Sequence, residues 1–301
     1  MNIFVTGGLG ILGSAIVNKL LNYKHKLIIY ERKIKLKRNS IKNKKNIKFV
    51  AGELNNHKLI NETFKKYNVN IVFHLGAQTQ VLKALNNPYN TYDSNLISTI
   101  KILEIIRNSK KKILFIYSSS DKAYGEIKSK SYLETHSLSS DFPYDVSKST
   151  SDLIAQSYSK TYGLKIGILR SANIYGPNDR NLKRIVPETI INLLKGKKIN
   201  IRSSGNLKRD YIYVEDVAEA YYLTFKKLIK SKKKLLIYNI GSKYNLTVLQ
   251  IVNKISSILK IKKKCYIIKN NSKREIKNQR LNYNKIKKEL NWKPKTSLKD
   301  G

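Results

Sequence analysis

Short apolar runs alternate with amphipathic stretches through the first half of the chain. The runs predict strands, because each is short and is bounded by polar or turn-forming residues. They lie at residues 2–5, 27–30, 47–51, 70–75, 113–117 and 165–169. Between them, apolar residues recur at helical spacing, as at 16–21, 89–107 and 145–162. Strands that alternate with helices predict an α/β fold with a doubly wound parallel sheet.

The second half of the chain has a less regular pattern. A turn-rich segment at residues 170–177 follows the last of these strands and predicts a crossing into a second lobe. Segments expected in that lobe lie at residues 182–187, 199–202, 205–216 and 247–259. An apolar run at 236–240 is expected to return to the main sheet. We therefore predict a larger domain at residues 1–172, completed by this strand, and a smaller C-terminal lobe, mainly residues 173–301.

The chain is strongly basic, with 60 Lys and Arg against 20 Asp and Glu and a formal net charge of +40. A charge of this size often indicates a nucleic-acid partner. Here the lysines are scattered over nearly every helix and loop and are interleaved with Asn and Ile, as a genome-wide compositional bias produces. We therefore expect no nucleic-acid partner, although the charge would attract polyanionic small molecules such as dinucleotides and nucleotide sugars.

Composition also limits the compartment and the chemistry. With 41% hydrophobic residues over 301 positions, the chain is expected to be globular. Its apolar runs fall short of the roughly 20 residues that a membrane span needs, and the first residues enter a strand without a signal-peptide pattern. We expect a cytoplasmic protein with no membrane partner. The single cysteine, Cys265, excludes an intramolecular disulfide and a cysteine-based metal cluster, and no metal site is predicted.

A glycine-rich turn lies between the first strand and the first helix. Gly7, Gly10 and Gly13 recur at every third position, a spacing that differs from G-x-G-x-x-G. A turn without side chains lets the backbone approach a pyrophosphate, and the N-terminus of the following helix offers free N–H groups. This position favours a dinucleotide site over an ordinary strand–helix turn.

Acidic and small residues at the next strand ends extend the predicted dinucleotide site. Glu31 follows the second strand, about 20 residues beyond the glycines, where a carboxylate binds the adenosine ribose and repels a 2′-phosphate. This favours NAD, whereas Arg32 and Lys33 leave NADP as the less favoured alternative. Glu53 is a candidate partner for the adenine amino group. The small residues at positions 76 and 77 would let the fourth strand end against the dinucleotide.

Candidate catalytic groups follow the fifth strand. Residues 117–125 read Tyr-Ser-Ser-Ser-Asp-Lys-Ala-Tyr-Gly, which places hydroxyls, a carboxylate and an amine at a strand end. Tyr144 and Lys148 are four positions apart and would share one face of a helix. A neighbouring lysine favours the phenolate, which makes Tyr144 a candidate base.

These motifs together resemble the extended short-chain dehydrogenase/reductase family of nucleotide-sugar epimerases and dehydratases. The resemblance rests on residues 6–13, 118–120, 144, 148, 173–177 and 209–216, in the family's order. It implies a Rossmann-type domain that binds NAD and a smaller lobe that binds a nucleotide sugar. It also implies that Tyr144 is the base on the sugar hydroxyl, that Lys148 holds the nicotinamide ribose and that Ser120 hydrogen-bonds the reacting oxygen.

The resemblance assigns further residues to the two ligands. The implied cofactor-binding residues are Gly7, Gly10, Leu12, Gly13, Glu31, Glu53, Leu54, Leu75, Ala77, Gln78, Asn95, Ser118, Tyr144, Lys148 and Asn173. The implied substrate-binding residues are Gln80, Asn173, Arg184, Val186, Arg202 and Arg209, the last in a polar turn that suits bidentate binding of phosphate.

The triplet Ser120-Asp121-Lys122 indicates which reaction to expect. Epimerases of the family usually carry small neutral residues after the Ser or Thr, whereas many 4,6-dehydratases carry Thr-Asp-Glu. Lysine at the third position is similar to the triplet of CDP-glucose 4,6-dehydratases. Oxidation at C4 acidifies the C5 proton, so that Asp121 could protonate the departing C6 hydroxyl and Lys122 could remove the C5 proton before hydride returns to C6. An exposed Asp–Lys ion pair is the alternative interpretation.

Other interpretations stay open from the sequence. The expected activity is an NAD-dependent nucleotide-sugar 4,6-dehydratase for surface polysaccharide, with a 4-epimerase second and a non-catalytic NAD-binding scaffold third. Pro143-Tyr144 lacks the usual Ser-Pro before the tyrosine, and Asp-Val follows where Gly-x is common. Apolar residues in excess of one sheet face on helices 89–107 and 145–162 predict a homodimer.

Overall fold

A computed structural model describes residues 1–34, 41, 45–179, 181–261, 265–271 and 276–301. Its strands are β1 Asn2–Thr6, β2 Lys26–Glu31, β3 Ile47–Ala51, β4 Ile71–His74, β5 Leu114–Ser120, β6 Ile166–Ser171, β7 Asn173–Tyr175, β8 Ile199–Ile201, β9 Lys208–Tyr213, β10 Leu235–Ile240, β11 Asn245–Thr247, β12 Tyr266–Ile268 and β13 Asn278–Gln279. Its α-helices are α1 Ile11–Leu21, α2 His57–Lys66, α3 Val81–Asn86, α4 Pro88–Tyr92, α5 Ser98–Arg107, α6 Pro143–Tyr162, α7 Ile185–Leu194, α8 Val214–Lys230, α9 Val248–Ile258 and α10 Asn284–Leu290. A π-helical turn, Asp93–Ile97, joins α4 to α5, and a 3-10 turn, Asp121–Tyr124, follows β5.

The main sheet has seven parallel strands in the order β10-β6-β5-β4-β1-β2-β3. The chain runs outward from β1 through β2 to β3, and then crosses to the other side of β1 with β4. Ligands of open parallel sheets bind beyond the carboxyl ends of the strands at such a reversal. The predicted doubly wound α/β fold is confirmed, and the strand at 236–240 returns to the sheet as expected.

Helices cover both faces of this sheet, which is why its strands are apolar on both sides. One face carries α1, α8 and α10, with buried residues such as Val17, Phe225 and Ile286. The other carries α2, α5 and α6, with Phe64 and Leu103 among the buried residues. Helix α8 therefore belongs to the larger domain, together with strand β10, although both follow the first part of the lobe in the chain.

A hydroxyl–imidazole chain joins the sheet to α5 beside the reversal. Thr6 Oγ1 accepts hydrogen bonds from the backbone N–H groups of Leu75 and Gly76, so its own proton goes to His74 Nδ1, 2.8 Å away. His74 Nε2 then donates to Thr99 Oγ1 at 3.1 Å. Burial and, to a smaller extent, the charge of Lys148 lower the pKa of His74 to about 3. The neutral imidazole therefore fixes the ends of β1 and β4 against α5.

The smaller lobe has its own apolar core and short sheets. Strand β9 pairs with β11 and β13 at one end and with β7 at the other, and β8 pairs with β12. Helices α7 and α9 pack around residues such as Tyr211 and Val252, together with the buried Cys265. How the chain divides into independently folding units stays a prediction. Among the described residues, the helices are too short or too polar to cross a membrane.

Candidate active site

The glycine turn after β1 has the close packing that a pyrophosphate cradle requires. Gly7 has φ +70°, and a Cβ there would lie 2.7 Å from Gly76 N, at the end of β4. A Cβ at Gly13 would overlap the Gly7 carbonyl oxygen. Gly10 is the N-cap of α1, and within the described chain no side chain caps this helix and its first turn carries no acidic residue. The backbone can therefore approach an anion closely at a positive helix end, and the turn fits a dinucleotide.

The strand ends beside the turn place the predicted adenosine-side residues. Glu31 ends β2, and its Oε1 accepts a 2.7 Å hydrogen bond from Leu9 N within the glycine turn. Glu53 is exposed, and its carbonyl accepts from the Tyr30 hydroxyl at 2.8 Å. Leu54 lies against Gly76. The buried Leu12 lies in the first turn of α1, next to the cradle.

The loop after β4 is held by the π-helical turn. Asn95 is buried there; its amide accepts from Gln78 N at 2.7 Å and donates to Gln78 O and Ser147 Oγ. The Gln78 side chain in turn bonds to Gln80 in the same loop and donates to the Thr91 hydroxyl in α4. Asn95 and Gln78 thus fix the loop that contains Leu75, Ala77 and Gln80. Their predicted direct contacts with a cofactor remain predictions.

Lys148 lies under the end of β5. Its Nζ donates to Ser118 O at 2.7 Å, and the Tyr221 hydroxyl of α8 donates to Ser118 Oγ at 2.9 Å. Burial lowers the pKa of Lys148 to about 8, while the charge of Asp152 acts in the opposite direction. Tyr221 was missed from the sequence, although its helix has apolar residues at helical spacing and an acidic first turn.

Tyr144, Ser120 and Asp121 lie close together at the end of β5. Burial raises the pKa of Tyr144, and the charge of Arg184 and the nearby Ser120 hydroxyl act against this rise. Ser120 Oγ donates to Asp121 Oδ1 at 3.0 Å and accepts from Lys122 N at 3.2 Å. The other oxygen of Asp121 is buried and has no hydrogen-bond partner among the described residues. Predicted base, hydroxyl and acid are therefore adjacent.

The Lys122 amine lies in a buried polar cluster and not in an exposed ion pair with Asp121. Its Nζ donates to the buried Gln279 Oε1 at 2.9 Å, a contact that joins β13 to the end of β5. Asp145 and Asp210 are buried nearby, and each has one oxygen without a partner among the described residues. Burial raises the pKa of Asp145 to about 6; the charges of Lys122 and Arg209 act against this rise, and those of Asp121 and Asp141 add to it.

Three members of this cluster were missed from the sequence. Asp145 had a signal, because it follows Tyr144 where the family usually has glycine. Asp210 had a weaker one, next to the predicted Arg209. Gln279 had none, because a two-residue strand brings it to the site by pairing with β9.

The predicted substrate-side residues lie at the junction with the lobe. Asn173 begins β7, and its buried Nδ2 has no hydrogen-bond partner in the described part of the chain, as suits a donor to a ligand oxygen. Arg184 is the N-cap of α7, close enough to Tyr144 for its charge to act on the phenol, and Val186 lies in the first turn of the same helix. Arg202 is exposed and donates to Lys183 O at 3.2 Å.

The prediction that Arg209 lies in a polar turn is wrong. Arg209 is in β9, and its Nη1 donates to the carbonyls of Lys208 and Ile276 at 2.8 and 2.7 Å. The run of Lys-Arg-Asp resembled a turn, but pairing with β11 and β13 satisfies its backbone and makes it a strand. Its role in binding phosphate remains a prediction.

Asp210→Asn is expected to stabilise the protein increasingly as pH rises. Burial raises the pKa of Asp210 from 3.8 to about 7, the charge of Asp121 adds to this, and the hydrogen bond from Leu281 N opposes it. Between these two values the folded state binds more protons than the unfolded state, so stability falls as pH rises through this window. Asn keeps an acceptor for Leu281 N without charge. We expect a gain roughly 2 to 3 kcal/mol larger at pH 8 than at pH 5.

Urea unfolding at both pH values measures this difference. Asp141→Asn is the matched control, because Asp141 is exposed and surface substitutions change stability by only about 0.5 kcal/mol. An equal effect of Asp210→Asn at pH 5 and pH 8 would contradict the assignment.

Known proteins resemble this chain in sequence along most of its length. The family model for GDP-mannose 4,6 dehydratase matches residues 4–301. A dTDP-glucose 4,6-dehydratase of Haemophilus influenzae is 28% identical over 274 residues, covering 86% of this chain and 80% of the relative. A trifunctional UDP-glucose 4,6-dehydratase/3,5-epimerase/reductase of Arabidopsis thaliana is 29% identical over all of this chain, which spans 46% of that relative's length.

Solved structures agree with these relatives. A UDP-glucose 4-epimerase of Thermotoga maritima, solved with UDP-glucose, superposes with a TM-score of 0.91 at 30% identity, covering 100% of this chain and 96% of that one. A dTDP-glucose 4,6-dehydratase of Bacillus anthracis, solved with NAD, superposes with a TM-score of 0.87 at 29% identity, covering 100% and 94%.

Proposed function

The chain belongs to the GDP-mannose 4,6-dehydratase family, within the NAD-dependent extended short-chain dehydrogenase/reductases, and from this premise we propose that it is a nucleotide-sugar 4,6-dehydratase. The observation that carries the proposal is the position of Asp121. One oxygen of its buried carboxylate accepts from Ser120, and the other has no hydrogen-bond partner among the described residues. The carboxylate is close enough for its charge to act on the Tyr144 phenol, and Lys122 is next to it in the chain. An acid and a base beside the oxidation centre are what elimination requires in addition to oxidation.

Each residue has a defined task in this reaction. Tyr144 removes the proton of the sugar C4 hydroxyl, and Ser120 orients that oxygen. NAD, when bound in the glycine cradle, supplies oxidation and the later reduction. Lys148, with a lowered pKa and its amine on Ser118 O, is placed to hold the cofactor ribose and to favour the phenolate.

Asp121 and Lys122 carry out the elimination. Once C4 is a ketone, Lys122 removes the acidic C5 proton and Asp121 protonates the departing C6 hydroxyl, which leaves as water. Lys122 returns its proton to C5 as C6 is reduced. Gln279 holds the Lys122 amine, and Asn173 offers a buried donor to the substrate.

Mass spectrometry of products from CDP-glucose, GDP-mannose, dTDP-glucose and UDP-sugars tests the proposal. We expect a product lighter by one water, without net reduction of NAD. The Lys122 triplet favours CDP-glucose among these substrates. Unchanged substrate throughout the panel would overturn the proposal.

A 4-epimerase is the second candidate, and the close superposition on the UDP-glucose 4-epimerase favours it. Epimerisation needs Tyr144, Ser120 and Lys148 but gives no role to Asp121 or Lys122. Its product has the mass of the substrate, so the same experiment separates the two activities.

The choice of NAD over NADP and the assembly are further proposals. Glu31, already fixed to Leu9 N, would repel a 2′-phosphate, which a comparison of NAD and NADP affinities tests. Exposed apolar residues on α3, α4 and α6, including Leu82, Tyr89 and Leu153, support a homodimer. Light scattering that finds only monomer at micromolar concentration would contradict it. A cytoplasmic location fits a nucleotide-sugar substrate.

A further inference from the structure

The buried ammonium of Lys148 has an aromatic partner in Tyr117. Lys148 is 5% exposed, and its Nζ lies over the Tyr117 ring, 5.1 Å from the ring centroid. The face of an aromatic ring attracts a cation, and the attraction is strongest where water is excluded. Tyr117 is itself buried at 1% exposure, so water does not screen this contact.

The Lys148 charge has no carboxylate as a close partner. In the part of the chain that the structure describes, Lys148 forms no ion pair. Asp152, one turn further along α6, accepts from Arg170 with both oxygens, and its charge acts on Lys148 from beyond ion-pair distance. The amine donates to Ser118 O at 2.7 Å. A buried charge needs compensation, which here comes from one carbonyl and one ring face.

Neighbouring rings fix the orientation of Tyr117. It lies on the sheet face that α6 covers, in a row with Phe115 and His74, whose ring centroids are 6.2 and 6.0 Å from its own. The imidazole is neutral and does not repel Lys148. The Tyr117 hydroxyl is buried and has no hydrogen-bond partner among the described residues. The ring, and not the hydroxyl, is therefore what Tyr117 offers to the site.

We propose that Tyr117 is a positioning residue of the active site, whose ring keeps the Lys148 ammonium charged and in place beneath the end of β5. The inference rests on the proposed roles of Lys148 and Tyr144, because the charge of Lys148 is what favours the Tyr144 phenolate. It concerns oxidation at C4, a step that dehydration and 4-epimerisation share. The role of the ring is therefore the same for either activity.

Lys148 can be titrated without interference from its neighbours. The titratable groups around Lys148 and Tyr117 are Tyr144 and Asp152 of α6, His74 of β4 and Tyr221 of α8. Burial raises the pKa of each of the three tyrosines and lowers the pKa of His74, and Asp152 is paired with Arg170. Burial lowers the pKa of Lys148 to about 8. Between pH 6 and pH 9 the charge that changes in this set is therefore that of Lys148.

NMR titration of Lys148 tests the proposal without substrate or cofactor. In protein labelled with ¹³C at lysine Cε, Lys148→Met identifies the Lys148 signal by its loss. The ring current of Tyr117 should shift the Lys148 Hε protons upfield. Tyr117→Leu should abolish this shift and lower the titration midpoint of Lys148 by about 0.5 to 1.5 pH units. Tyr117→Phe keeps the ring and should retain both the upfield shift and the midpoint.

Phe115→Leu is the matched control. It makes the same ring-to-leucine change two positions earlier in β5, in the same buried cluster, at a ring that does not hold Lys148. Its Lys148 midpoint should equal that of wild type, although packing is lost. Tyr117→Met provides a second variant without a ring, because its flexible side chain fills the space. Circular dichroism confirms that the variants fold.

The outcomes separate the role of the ring from the proposed function. With substrate, the fall in turnover at alkaline pH should move to lower pH in Tyr117→Leu by the same amount as the midpoint. An unchanged Lys148 midpoint in both Tyr117→Leu and Tyr117→Met would overturn the inference, even where wild type removes water from its substrate. A lowered midpoint without a change in the pH profile of turnover would overturn the positioning role. A lowered midpoint in a protein that leaves the whole substrate panel unchanged would support the ring contact and overturn the proposed function.

Discussion

Asp121→Asn is expected to lower the rate of water loss by roughly 10²- to 10⁴-fold, the contribution of a general acid. The amide fills the same space and can still accept from Ser120, but it has no carboxylic proton for the departing C6 hydroxyl. Tyr144, Lys148 and Lys122 remain, so oxidation at C4 and removal of the C5 proton should continue. The variant should therefore recover substrate that has exchanged hydrogen at C5.

The measurement is mass spectrometry and NMR of substrate recovered from deuterium oxide. Asp121→Asn should give substrate that carries deuterium at C5 and retains its C6 oxygen. Lys122→Met should lose both the exchange and the water, because the base is gone. Asp141→Asn, which removes an exposed carboxylate, should resemble wild type. Water loss by Asp121→Asn at close to the wild-type rate would exclude Asp121 as the acid.

Local pattern was sufficient to predict the first half of the fold. Apolar runs and glycine or acidic residues at their ends predicted β1 to β6, and the glycine turn was placed correctly between β1 and α1. These features follow from neighbours in the chain, because a parallel strand buried on both faces is a continuous apolar run. The helix α2 was not predicted, since its few apolar residues, Leu59, Ile60 and Phe64, make only a narrow stripe.

Strand pairing between distant parts of the chain explains why elements of the second half could not be predicted from the sequence. Strand β9 is polar along its first half, which is a strand because it pairs with β11 and β13. Helix α8 has the apolar spacing and the acidic first turn of a helix. The polar run before it led us to assign the segment at residues 205–216 to the smaller lobe. Its packing against α1 and the sheet places Tyr221 at Ser118.

The site residues likewise divide into those in local motifs, which could be predicted, and those that long-range pairing brings to the site. Ser120, Asp121, Lys122, Tyr144 and Lys148 could be predicted because they lie in two short motifs. Gln279 could not, because it lies 157 positions from Lys122, which it contacts. The environment of the motif residues, and with it the direction of their pKa shifts, depends on such distant partners.

A buried ion pair behind the site connects its two motifs. Arg170, 1% exposed in β6, donates to both oxygens of Asp152 on α6 at 2.9 and 3.0 Å. It also donates to the Tyr124 hydroxyl at 2.8 Å, and Tyr124 donates to Asn239. Burial alone would lower the pKa of Arg170, but the hydrogen bonds and charge of Asp152 raise it. The turn that contains Asp121 and Lys122 is thus held to the helix that contains Tyr144.

Asp152→Asn is expected to reduce the free energy of unfolding by about 3 to 5 kcal/mol, because it leaves the Arg170 charge buried and unpaired. The double variant Asp152→Leu/Arg170→Met should recover most of this loss, since apolar residues of similar volume need no partner. Urea unfolding of Asp152→Leu, Arg170→Met and the double variant forms a double-mutant cycle that measures the coupling.

Arg107→Ala is the control, because Arg107 also contacts both oxygens of its partner, Glu104, but at an exposed site. Its loss should cost about 1 kcal/mol or less. If Asp152→Asn cost no more than this, the pair would not stabilise the fold. The double variant separates stability from geometry: it should fold, yet dehydrate more slowly, because Tyr124 no longer has the guanidinium that holds the turn of Asp121 and Lys122 in place.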